Sequence, residues 1–151
     1  MSTKFITKSE GETKKLGERL LKEIIKERKD RRPVVVLLKG EIGGGKTTFT
    51  QGIASALNIK GRILSPTFII IRKIPILKRR FKFLYHIDCY RIKNVKDLKE
   101  LNIEEILEAP ESLIVIEWPE VIRGLIKEPY WEVVFHFLGR NKREIMIRYK
   151  K

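Results

Sequence analysis

Val34-Val35-Val36-Leu37-Leu38-Lys39-Gly40-Glu41-Ile42-Gly43-Gly44-Gly45-Lys46-Thr47-Thr48 is the stretch from which the rest of the chain can be read. Its five consecutive apolar residues, bounded by Pro33 and Gly40, are too short for a buried helix. They fit a strand covered on both faces, as in a parallel sheet. Gly40 to Thr47 then matches the phosphate-loop pattern, G-x-x-x-x-G-K-[ST], at every position. The residue types have a physical reason. Glycines let successive backbone N–H groups turn into one concavity, and a helix beginning near Lys46 adds its positive end to it. Lys46 is expected to reach β- and γ-phosphates and the Thr47 hydroxyl to ligate Mg²⁺. Phe49, Ile53 and Leu57, four apart, give that helix a buried stripe.

Upstream, Ser9 and Glu12 have the spacing of a capping box. Leu16, Leu20, Leu21, Ile24 and Ile25 follow on one helical face, which Arg31-Arg32-Pro33 ends. Downstream, two β-rich segments are expected. Residues 63–74 are interrupted by Ser65-Pro66, and residues 81–88 carry Phe81, Phe83, Tyr85 and Ile87 in alternation. Residues 97–107 read as helix and 113–116 as a short apolar strand. Residues 130–138 and 143–149 read as two strands of a hairpin turning at Gly139-Arg140-Asn141-Lys142. Strands interleaved with helices predict an α/β fold. It is phosphate-loop NTPase-like, with a mostly parallel central sheet, antiparallel additions and flanking helices, in one domain spanning 1–151.

Composition bounds the function. The chain has 151 residues, with 33 Lys+Arg against 19 Asp+Glu, a formal charge of +14. Such an excess favours an anionic partner without naming it. A single Gln beside abundant Lys, Glu and Ile also fits a heat-adapted surface. One cysteine, Cys89, excludes an internal disulfide framework. No run approaches the length of a membrane span, and the first ten residues lack the apolar core of a signal peptide. A cytoplasmic protein without membrane contact is therefore expected. Charge is segregated: Arg72 to Lys82 holds six basic residues and no acid, and Glu100 to Glu120 holds seven glutamates and no base. The pattern reads either as two solvated faces or as two opposite docking poles.

A phosphate-loop enzyme needs a further acid near the metal, at the end of a neighbouring strand. Asp88, ending 81–87, and Glu117, ending 113–116, are the two candidates. The guanine-reading N-K-x-D motif is absent, since Asn94-Val95-Lys96-Asp97 has the wrong order. His86, Cys89 and Trp131 read as structural residues.

Gly40 to Thr48, Ser65-Pro66-Thr67-Phe68, His86-Ile87-Asp88-Cys89-Tyr90-Arg91 and Glu117-Trp118-Pro119-Glu120 occur in the order and spacing of one family. With Glu12-Thr13, Leu16-Gly17 and Gly139-Arg140…Arg143 at the ends, the chain resembles the TsaE (YjeE) family over nearly its whole length. These are small bacterial ATPases of tRNA threonylcarbamoyladenosine modification. The resemblance implies that Lys46 and the amides of Gly40, Glu41, Ile42, Gly43, Gly44, Gly45, Thr47 and Thr48 bind the phosphates of ATP. It implies that Thr47 and Glu117 hold Mg²⁺, that Asp88 acts near the metal or the attacking water, and that Thr67 senses the γ-phosphate. Trp118 would lie beside the site, and Glu10 or Thr13, with Arg140, would close over the nucleotide. The implied partners are TsaD- and TsaB-type proteins, with tRNA in the complex. Two departures stand out: Gly44 replaces the more usual alanine, and Ile71-Arg72-Lys73-Ile74 replaces an acidic-aromatic pair.

Two other readings compete. A small nucleotide or metabolite kinase would need a substrate insertion and a lid, for which 151 residues leave little room. A basic RNA-binding module would explain the charge and leave the phosphate loop without a use.

Overall fold

The computed structural model describes residues 2–61, 63, 70–77 and 80–151. β2 (Val34–Gly40) runs through the middle of the sheet because its apolar run has two faces to bury. Val36 and Leu38 face one hydrophobic layer, and Val35 and Leu37 face the other. The remaining strands are β1 (Ser2–Thr7), β3 (Ile71–Pro75), β4 (Phe83–Asp88), β5 (Ser112–Glu117), β6 (Tyr130–Gly139) and β7 (Lys142–Lys150). Among the described residues they form one sheet in the order β1-β7-β6-β2-β5-β4-β3. The centre, β6-β2-β5-β4, is parallel. β7, β1 and β3 are added antiparallel. The expected architecture is the observed one.

The first helix, α1 (Glu10–Glu27), starts at Ser9, whose hydroxyl accepts from the Glu12 N–H at 3.1 Å. The Glu12 carboxylate accepts from the N–H of Lys8. α1 and α2 (Lys46–Ala56) cover one face of the sheet through Leu16, Leu20, Leu21, Ile24, Phe49 and Ile53. The two helices meet backbone to backbone. A Cβ on Gly52 would overlap the Lys14 carbonyl oxygen, and one on Gly17 would overlap that of Phe49. The other face is covered by α3 (Val95–Lys99), α4 (Ile103–Glu108) and a 3₁₀ helix (Pro119–Leu125), through Leu98, Ile103 and Ile122.

One expectation changes, and two features of the sequence find their place. Residues 97–107 are two short helices instead of one, because Asn102 takes a left-handed φ of 57°, which asparagine tolerates. β4 is an interior strand, so Leu84 and His86 are as buried as Ile87. An ion pair ties the two charged segments together. β4 and β5 are parallel neighbours with Phe83 opposite Ser112. That register brings Lys82 to Glu111 at 2.8 Å, with Arg31 at 3.2 Å on the same carboxylate. Lys82, then Arg31, hold the Glu111 carboxyl below its ordinary range. Arg80 is partly used within the chain too, donating to the carbonyls of Arg28 and Ile25.

Candidate functional site

The carboxyl ends of β2, β5 and β4 lie side by side, with Leu38 opposite Glu117 and Glu117 opposite Asp88. This is the edge where open α/β sheets bind ligands. The phosphate loop leaves β2 there and turns into α2 at Gly45, the N-cap, whose φ of 97° strains any other residue. The Lys46 side chain folds back under the loop. Its Nζ donates to the carbonyls of Gly40 at 2.7 Å and Glu41 at 2.8 Å and lies 4.2 Å from the centre of the Trp118 ring. Burial pushes the Lys46 ammonium below its ordinary value, against the opposing pull of the Glu117 and Asp88 carboxylates.

Thr47, the first hydroxyl after the lysine, donates to Glu117 Oε1 at 3.1 Å. Glu117 and Asp88 are both buried, at 2% and 5% exposure, so water alone does not solvate them. The backbone N–H of Tyr90 donates to Asp88 at 2.9 Å. His86, wholly buried, brings Nε2 to 3.5 Å from the same Glu117 oxygen; neither ring nitrogen has a hydrogen-bond partner among the described residues. Trp118 takes a left-handed φ of 55° and packs against Tyr90 with the rings tilted by 50° and their centres 5.0 Å apart.

A hydroxyl and two buried carboxylates beside a lysine form a hard-oxygen donor set that fits Mg²⁺. Among the described residues no three His, Cys, Asp or Glu side chains could hold a metal by themselves. A Mg²⁺ ion held there would take its remaining oxygens from water and from a phosphate ligand, the usual situation in nucleotide sites.

The remaining expected residues divide. Glu41, Ile42 and Gly43 form the exposed crest of the loop, and Thr48 is half-buried in the first turn of α2. Thr13 is buried with its hydroxyl bonded to Thr7 and to the Ser9 carbonyl. It meets the loop through its methyl group, 3.5 Å from where a Cβ on Gly45 would sit. Glu10 and Arg140 are exposed. Thr67 lies outside the described residues. One neighbour of the loop was not expected. Arg143, at the start of β7, donates through Nη2 to the Gly43 carbonyl at 3.3 Å. Its sequence signal is its place in the Gly139-Arg140…Arg143 stretch, just after the hairpin turn.

The fold and this edge define a phosphate-loop, NTPase-like protein. The family described as "Threonylcarbamoyl adenosine biosynthesis protein TsaE" matches residues 7–145, and the chain belongs to that family. It is 40% identical over 115 residues to the tRNA threonylcarbamoyladenosine biosynthesis protein TsaE of Rickettsia typhi, covering 76% of each chain. To the protein of the same name from Rickettsia felis it is 37% identical over 140 residues, 92% of this chain and 75% of that one. Among solved structures it resembles Bacillus subtilus YdiB with a TM-score of 0.72 and 25% identity, over 97% of this chain and 84% of that one. It is thus a member of the TsaE family of tRNA threonylcarbamoyladenosine biosynthesis. No helix among the described residues is long and apolar enough to cross a membrane.

Proposed function

We propose that the protein is a Mg²⁺-dependent ATP hydrolase, one phosphate-loop domain spanning 1–151, whose turnover drives the cycle of a TsaD–TsaB complex in the cytoplasm. The observation that carries the reading is the contact of Thr47 with Glu117, 3.1 Å, beside Lys46. It joins the loop's hydroxyl to a buried strand-end carboxylate, the pairing a metal at terminal phosphates requires. In this reading Lys46 leaves its carbonyls to meet the β/γ-phosphates, and Thr47 and Glu117 hold the metal. When bound, Mg²⁺ offsets the charge that develops on the transferred phosphoryl group. Asp88, fixed by the Tyr90 N–H, orients the attacking water or completes the metal shell. The loop amides of residues 40–48 cradle the phosphates. Thr67 senses the γ-phosphate, and Glu10, Thr13 and Arg140 belong to the nucleoside end. A kinase reading finds no support in a specific feature.

The test is ATP hydrolysis by the purified protein in a Mg²⁺ titration, alone and then with TsaD and TsaB, with and without tRNA. Slow metal-dependent turnover that rises with the partners supports the proposal. Phosphate transfer to an added metabolite, or turnover unaffected by metal, overturns it.

A further inference from the structure

Alternation along β7 puts Arg143 on the same sheet face as Ile145 and Ile147, the face covered by α1 and α2. The guanidinium lies against the phosphate loop. Its Cδ and Nε are 3.0 Å from where a Cβ on Gly45 would sit, and Nη2 donates to Gly43. The Nε and Nη1 atoms are buried and have no hydrogen-bond partner among the described residues. A guanidinium stays charged at any physiological pH and can only donate. Leaving such donors buried without an acceptor is costly, and a native structure that does so calls for a reason. An incoming anion at the loop supplies the missing acceptor.

The order β7-β6-β2-β5-β4 says which part of the anion this is. Glu117 and Asp88 lie on the β5 and β4 side of β2, with Thr47 and Lys46 turned toward them. Arg143 lies on the other side. The terminal phosphates and the metal belong with the carboxylates, so the Arg143 side is left for the nucleoside end of the chain. We propose that Arg143 is a nucleotide-contacting residue whose Nε–H and Nη1–H serve the α-phosphate of a nucleoside di- or triphosphate. This inference rests on the nucleotide-binding reading above. It assigns Arg143 to binding and not to the transition state, since it lies away from the γ-phosphate side.

The experiment measures affinity by calorimetry, with ADP and the β,γ-imido analogue of ATP as probes, and the ligand-free unfolding midpoint. Arg143→Gln and Arg143→Met are compared with the parent and with Lys150→Gln as a surface control. Charge-assisted hydrogen bonds predict that both Arg143 variants bind both probes about tenfold or more weakly, by a similar factor. The ligand-free midpoint is expected not to fall, because the variants bury no unmatched cation. Unchanged affinity overturns the proposal and makes Arg143 a brace for Gly43. A loss confined to the ATP analogue also overturns it and moves Arg143 to the γ-phosphate. If neither neutral variant folds, Arg143→Lys is measured, and parent-like affinity for ADP overturns the proposal. A parent that binds neither probe fails the underlying reading, whereas a parent that binds them as tightly as its Arg143 variants fails only this inference.

Discussion

The two flanks of the phosphate loop differ in how their charges are matched before any ligand arrives. On the β5–β4 flank, Lys46 rests on two carbonyls and the Trp118 ring, and Thr47 is bonded to Glu117. On the β7–α1 flank, Arg143 holds one carbonyl and keeps two buried nitrogens without acceptors among the described residues, with the Thr13 methyl of α1 near the same Gly45. If phosphate binds as proposed, the first flank exchanges partners, Lys46 trading its carbonyls for anionic oxygens. The second only gains. Exchange suits groups whose interactions change during a reaction, and an unmatched donor suits groups that bind without changing.

The largest test of this contrast is Lys46→Ala. On the exchanging flank, the loss of the point charge is expected to lower ATP turnover by about a hundredfold or more while far-ultraviolet circular dichroism stays parental. Parent-like turnover would move the chemistry off this flank. Gly52→Ala tests how firmly α1, which belongs to the other flank, is held to α2. Alanine favours a helix over glycine by about 1 kcal/mol, but here its methyl meets the Lys14 carbonyl. A net destabilisation on the order of 2 kcal/mol is expected in urea unfolding. A stabilised variant would show that α1 is not clamped to α2.

Smaller effects separate the two acids. Glu117→Gln is expected to shift the Mg²⁺ dependence of nucleotide binding by roughly tenfold, as for loss of one charged hydrogen-bonding partner. Asp88→Asn is expected to lower turnover more than affinity. An unaltered Mg²⁺ titration for Glu117→Gln reverses the two roles.

The smallest effect concerns Cys89. Burial, with the Asp88 and Glu120 carboxylates behind it, pushes its thiol up from 9.0 to about 12. Because the folded value is the raised one, the thiol's contribution is intact below pH 9 and is lost as pH climbs from 9 toward 12. Between pH 9 and 10.5 the parent should lose stability relative to Cys89→Ala, by at most about 1.4 kcal/mol per pH unit. A pH-independent difference in urea midpoints would mean that this flank is less buried and less negative than the structure has it.

Much of the molecule was legible because its signals are local. The β2–loop–α2 unit follows from an apolar run, three glycines and a four-residue stripe, and the β6–β7 hairpin from its turn residues. The amino-terminal strand left no such mark. β1 is an edge strand with one neighbour, so Ser2 to Phe5 stay mostly exposed and carry no apolar run. The break at Asn102 was hidden because one left-handed residue interrupts a helix without disturbing its composition.

The sequence by itself determined the phosphate loop, its flanking strand and helix, the two strand-end acids and the family. Only the tertiary structure decided what faces them. Thr47 meets Glu117 across 70 residues, and Arg143 meets Gly43 across 100. Those distances close because β5 and β6 both pair with β2 and β7 pairs with β6. Strand neighbours are chosen by the burial of whole faces, and nothing in the residues next to Arg143 records which loop that choice will bring to it.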